Sequence, residues 1–125
     1  MNIPEDLKYS AEHEWVKIDG DVASIGITNF AQGELGDIVF VEFPEIGDVF
    51  SVGDVFGTIE AVKTVADLFA PISGEVVAIN ESLEGSPESI NSDAYNEGWI
   101  IKIKLTNPDE VNLLLDHDKY EALLS

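Results

Sequence analysis

The sequence predicts a mainly β fold: a β-rich core with short N-terminal and C-terminal helical elements. Three observations lead there. Through the first hundred residues, short runs of β-branched and aromatic residues are separated by turn signals containing Gly. From Asn107 onward the pattern changes to a helix start followed by leucine stripes. The 125 residues are 45% apolar and 25% charged, the size and usage of one globular unit, and no composition shift divides residues 1–125. A single domain is expected.

The elements follow in order. Trp15-Val16-Lys17-Ile18, a turn at Asp19-Gly20-Asp21 and Val22-Ala23-Ser24-Ile25-Gly26-Ile27 read as a hairpin. Thr28-Asn29 offers an N-cap for a brief helix through Gln32, closed near Gly33 or Gly36. Ile38-Val39-Phe40-Val41-Glu42-Phe43 is a strand stopped by Pro44. Gly47-Asp48-Val49-Phe50 and Gly53-Asp54-Val55-Phe56 repeat a turn followed by a strand start, and Gly74-Glu75-Val76-Val77-Ala78-Ile79 begins in the same style. Residues 81–98, rich in Ser, Glu, Asn and Gly, read as a long surface loop with one irregular turn. Trp99-Ile100-Ile101-Lys102-Ile103-Lys104-Leu105 alternates in its second half as a half-buried strand does. Asn107 as cap, Pro108 at the first helical position and Glu110 three residues after the cap predict a C-terminal helix. Leu113, Leu114, Leu115, Tyr120, Leu123 and Leu124 extend it as one or two segments.

Charge excludes whole classes of partner. A net charge of −19 argues against nucleic acid and anionic membrane surfaces, both polyanions bound through Lys and Arg. It favours encounters with proteins that carry basic patches. Zero Cys removes disulfide and thiol chemistry, and His13 and His117 alone make no zinc set, so no metal is expected. No stretch has the length of a membrane span. The start, Met1-Asn2-Ile3-Pro4-Glu5-Asp6, has neither a basic leader nor an apolar region. The expected location is the bacterial cytoplasm, or the mitochondrial matrix for a processed eukaryotic form.

Within this acidic chain one cation stands alone. Lys63 is the only positive charge between Lys17 and Lys102, a stretch with sixteen Asp and Glu, no Arg and no His. An isolated primary amine suits covalent attachment. Two conformations fit its surroundings. Thr58 to Ala70 contains no Gly or Pro, and Ile59, Val62, Ala66 and Phe69 fall at helical spacing. On such a helix Glu60 and Asp67 would flank Lys63 at pairing distance. Against that, Gly53-Asp54-Val55 and Gly74-Glu75-Val76 bracket Lys63 at ten and eleven residues, as two related halves would if the chain doubled back at residues 62–64. Periodicity alone leaves both open.

Longer blocks carry a resemblance. Gly57-Thr58-Ile59-Glu60-Ala61-Val62-Lys63, with Asp67 and Ala70-Pro71-Ile72-Ser73-Gly74-Glu75-Val76, resembles the lipoyl-lysine segment of the glycine cleavage system H-protein family. Lys8-Tyr9-Ser10-Ala11-Glu12-His13-Glu14-Trp15-Val16 resembles the family's opening. Gly26-Ile27-Thr28-Asn29-Phe30-Ala31-Gln32, then Leu35-Gly36-Asp37-Ile38-Val39-Phe40-Val41, resembles its next block. Glu97-Gly98-Trp99-Ile100-Ile101-Lys102-Ile103-Lys104 resembles its last strand.

The resemblance implies a barrel-sandwich hybrid of the lipoyl/biotinyl-carrier kind, with Lys63 at the exposed tip of a hairpin and the two Gly-acid-Val segments as equivalent strands of two half-motifs. It implies a carrier without catalytic residues of its own, holding lipoate covalently on Lys63. By the same resemblance the arm takes an aminomethyl group from a pyridoxal-phosphate glycine decarboxylase (P protein). An aminomethyltransferase (T protein) passes the one-carbon unit to tetrahydrofolate, and a dihydrolipoyl dehydrogenase (L protein) reoxidises the dithiol. Glu14 and Asp67 match the family's arm-cleft carboxylates, and Glu60 and Gly74 match positions tied to recognition by lipoate-attaching enzymes. Two departures stand out: Glu12 where some members carry Ser, and Ala94 and Asn96 where Pro and Gly are more usual. Asn tolerates a left-handed backbone, which would preserve the loop at 93–98.

Three rivals share parts of this pattern. A biotin carrier has the same fold but usually shows Met on both sides of its lysine, whereas Val62 and Thr64 flank Lys63. A relay passing lipoyl or octanoyl groups to other complexes would look the same in sequence. An enzyme using Glu12 and Glu14 would need a base, metal set or phosphate loop that the sequence does not supply.

Overall fold

A computed structural model describes residues 3–124. Among the described residues nine strands form two sheets. The larger has the order β1-β2-β3-β9-β8-β5, built from Lys8–Tyr9, Glu14–Asp19, Val22–Ile27, Ile101–Leu105, Gly74–Ile79 and Val49–Phe50. The smaller is β4-β6-β7, from Ile38–Glu42, Val55–Ala61 and Val65–Phe69. All pairings are antiparallel. Inward residues of both sheets, among them Val16, Ile25, Ile59, Leu68, Val76 and Ile103, make one core between the layers, joined by Ile72 from the connection between β7 and β8. Each such side chain contributes about 1.5–3 kcal/mol by leaving water. A second cluster of Leu7, Tyr9, Trp15 and Tyr120 seals the end where the C-terminal helix docks. No helix among the described residues is long and apolar enough to cross a membrane.

Helix α1, Asn29–Leu35, starts at the predicted cap. The Thr28 hydroxyl accepts from the Ala31 N–H at 3.2 Å, and Gly36, at φ 79°, ends the helix. The repeated Gly-Asp-Val-Phe segments prove to be one turn built twice. Asp48 Oδ2 accepts from the Glu45 N–H and Asp54 Oδ2 from the Ser51 N–H, with Gly47 and Gly53 both left-handed. Each Gly N–H then donates to the sheet, Gly47 to Val76 O and Gly53 to Ala70 O, and Val76 and Ala70 donate back to Asp48 and Asp54. Gly53 and Gly74 serve different needs. Gly53 supplies a positive φ, whereas a Cβ on Gly74 would lie 2.6 Å from the Lys104 carbonyl oxygen. Their strands, β6 and β8, belong to different sheets.

Two segments depart from the sequence reading. Residues 81–98 hold two short helices, α2 (Ser82–Gly85) and α3 (Ser89–Ser92), not a plain surface loop. Leu83 and Ile90 are buried, anchoring the two helices on the core, and one large aliphatic residue per helix gave no periodicity to read. Asn96 does not use a left-handed backbone; His13 alone does among the described non-Gly residues. The loop is instead closed by Gly98 N–H to Asp93 O, while Ala94 O accepts from Trp15 Nε1. At the C-terminus, Pro108–Leu113 is a 3₁₀ helix and the Asn107 side chain makes no capping bond. Glu110 is drawn away from the cap, its carboxylate accepting from the N–H and hydroxyl of Ser73. A true α-helix, α4, follows at His117–Leu124.

Candidate functional site

Lys63 lies in the turn Val62-Lys63-Thr64 between β6 and β7, and its side chain is exposed. The helical alternative fails because burial follows a period of two. Ile59, Ala61 and Leu68 point into the core while Glu60, Val65 and Asp67 face solvent. Val62, which a helix would have buried, is 75% exposed. The turn is held rigidly. Ala61 N–H donates to Thr64 O at 2.8 Å, and Val62 N–H donates across to Asp37 O at 3.0 Å. Behind it lies Gly36, where a Cβ would meet Lys63 Cε only at the ordinary contact distance of 3.5 Å; its φ of 79° is what calls for glycine. Among the described residues no carboxylate comes within ion-pair distance of Lys63, so neither Glu60 nor Asp67 pairs with it.

Beside the hairpin runs a cleft of about 330 Å³, walled by α1 and β7. Ile27, Phe30, Leu35 and Leu68 give it apolar sides; Glu12, Glu14, Glu34 and Asp67 supply acid groups. Glu14 and Asp67, far apart in sequence, are thus brought to one cavity. Glu14 is only 2% exposed and burial pushes its carboxyl from the ordinary 4.5 up to about 7, opposed by hydrogen bonds from Ser10 and from the Phe69 N–H. The Ser10 hydroxyl donates to Glu14 Oε1 at 2.5 Å and accepts from the Glu14 N–H at 3.1 Å. Glu14 Oε2 accepts from Phe69 N–H at 3.4 Å, which ties the carboxyl to the edge strand β7. A second cavity of about 350 Å³, mostly apolar, lies on its other side against Tyr9, Phe69, Pro71 and Leu114. Such an arrangement suits a guest that is apolar along its length and cationic at its end.

Comparison with known proteins places this geometry. The glycine cleavage H-protein family model matches residues 7–125. A solved glycine cleavage system H protein from Mycobacterium marinum superposes with a TM-score of 0.88 at 40% identity, covering 96% of this chain and 97% of that one. The chain belongs to the glycine cleavage H-protein family. Membership gives it a lipoyl carrier role in the glycine cleavage system. The two sheets with short helices agree with that family's carrier fold.

The other two residues matched to the family lie apart. Glu60 is exposed on β6, three residues before Lys63, directly across from Phe40 and Val65. Gly74 is buried in the larger sheet, in contact with Lys104 and Ile103. Sequence reasoning missed several residues that shape this H-protein family site. The His13 ring lines the cleft, packs on Phe30 with centroids 4.9 Å apart, and has Nδ1 2.8 Å from the Tyr120 hydroxyl. That hydroxyl also lies 2.8 Å from Thr28 Oγ1, so α4 holds the cleft's floor to the cap of α1. Asn91, in the segment read as loop, braces Gly36: its amide donates to Gly36 O and Gln32 Oε1, and its Oδ1 accepts from Ile38 N–H. An Asn inside a polar stretch carries no such signal in sequence; only the tertiary contact reveals it.

Proposed function

We propose that Lys63 is the lysine that carries lipoate, and that the chain is one lipoyl-carrier domain, itself not a catalyst. One observation carries the assignment: Lys63 is an unpaired amine at the exposed tip of a hairpin pinned by two backbone hydrogen bonds. The site fits the group. Amide formation at Nζ removes the charge and adds a flexible arm with a total reach of roughly 12–15 Å. Val65 to Asp67 runs down β7 from the tip, so Asp67 lies ~13 Å from Lys63 along the strand. The arm's end therefore reaches the cleft.

Once attached, the lipoyl group supplies a dithiolane that exchanges electrons and carries the one-carbon amine fragment. The protein's own residues do the remaining work. Val62, Ala61 and Asp37 fix the point of attachment; Phe30, Leu35 and Leu68 exclude water along the arm; Glu14 and Asp67 accept from an ammonium at its end. Glu60 offers an exposed acid to the attaching enzyme, and Gly74 contributes through the sheet whose close approach it permits. Partners are the P, T and L proteins and a lipoate-attaching enzyme, in the bacterial cytoplasm. Tethering raises the cargo's local concentration at each of them.

Reconstitution with P, T and L proteins tests the role. Lipoylated protein is expected to support release of carbon dioxide from glycine, and Lys63→Arg to support none. A lipoylated chain that gives no turnover but donates its acyl group to other complexes would move the assignment to a relay.

A further inference from the structure

Around Lys63 the smaller sheet shows solvent an apolar surface that the carrier role does not use. Phe40, Glu60 and Val65 lie side by side in one register row across β4, β6 and β7, so their side chains share a face. Phe40 is 51% exposed, Val65 62% and Val62, at the tip, 75%. Solvent-facing sheet positions are normally polar, and exposed apolar groups clustered beside a reactive amine mark a contact surface. Acid groups border the cluster: Glu60 sits at its centre, the next row is Glu42-Thr58-Asp67, and Asp37 flanks the tip, all four acids exposed. The cleft lies along α1 and β7, whereas this surface runs across to β4.

Reach decides which partner needs it. Before modification the amine extends only ~6 Å from its own Cα, so an enzyme acting on Nζ must touch the residues around the turn. After modification the arm reaches roughly 12–15 Å, and enzymes acting on its end can stand away from them. We propose that Phe40, Val62 and Val65 form a docking collar for the lipoate-attaching enzyme, received by an apolar recess rimmed with Lys or Arg. The proposal rests on Lys63 as the attachment site. It explains why apolar residues surround the one cation in an acidic stretch: they supply contact area within a lysine's length, and the acids steer a basic rim onto it.

Lipoylation kinetics with a purified lipoate–protein ligase, lipoate and ATP test this. Phe40→Ser and Val65→Ser are expected to lower kcat/KM at least tenfold, chiefly through KM, and Phe40→Leu to restore most of it. Val77→Ser, exposed on the other sheet, should leave it unchanged. Raising salt should weaken the wild-type reaction. Variants driven to full lipoylation with excess ligase should then support glycine cleavage at the wild-type rate. Unchanged lipoylation kinetics in both Ser variants would overturn the collar, as would fully lipoylated variants that fail equally with the P, T and L proteins. A wild-type chain that gains no lipoyl group would overturn the attachment site itself, an outcome visible before any variant is made.

Discussion

Glu14 holds its carboxyl where burial opposes ionisation, and the consequence can be measured. Folding lifts it to about 7 from the ordinary 4.5, so between those values the folded chain keeps a proton that the unfolded chain has lost. Stability from this group is therefore present below about pH 4.5 and falls as pH rises through about 7, by on the order of 3 kcal/mol. Glu14→Gln removes that dependence. The melting temperature of the variant, taken relative to wild type, should rise between pH 5 and pH 8; a constant difference would contradict the assignment. Above pH 7 the carboxylate is available to an ammonium on the arm, beside Asp67. Asp67→Ala should accordingly hydrolyse a loaded arm several-fold faster than wild type, followed by ammonia release; equal rates would remove Asp67 from the cleft's work. Composition could not have marked Glu14 among twenty-five acids. Only the family blocks singled it out; its burial, and the Ser10 and Phe69 hydrogen bonds that partly offset that burial, exist only in the folded chain.

At the scale of elements, the hairpin that presents Lys63 was the least legible part from periodicity and the most consequential. A stretch without Gly or Pro fits a helix locally, and β-pairing on both sides of β6 overrides that preference. Gly57 makes the pairing possible: a Cβ there would collide with the Glu42 carbonyl oxygen on β4. Gly57→Ala should cost about 2 kcal/mol by forcing β4 and β6 apart, read in urea unfolding. A loss below 0.5 kcal/mol would mean the sheet gives way more easily than this contact implies. Strands β2 and β3, marked by the turn between them, and β9, which alternates, were legible, as was the cap of α1. The C-terminal helix was misread at its start because Glu110, which the capping pattern needs, bonds Ser73 on a distant strand start. The short helices at 82–92 escaped notice because single buried residues, Leu83 and Ile90, anchor them.

At the scale of the molecule, two packed sheets hold one hairpin tip still while the remainder of the chain builds a partly sheltered trough beside it. The net charge of −19 leaves that tip as the lone cation in its region and predisposes the surface to basic partners. Carrying, in this arrangement, is a matter of fixed geometry plus one long covalent arm. Intact-mass spectrometry after incubation with lipoate, ATP and a lipoate–protein ligase, with peptide mapping of the product, tests this most directly. A gain of one lipoyl group, mapped to Lys63 and absent in Lys63→Arg, is the predicted result. A lipoyl group on any other lysine, a biotin in its place under biotinylating conditions, or no gain at all would contradict it.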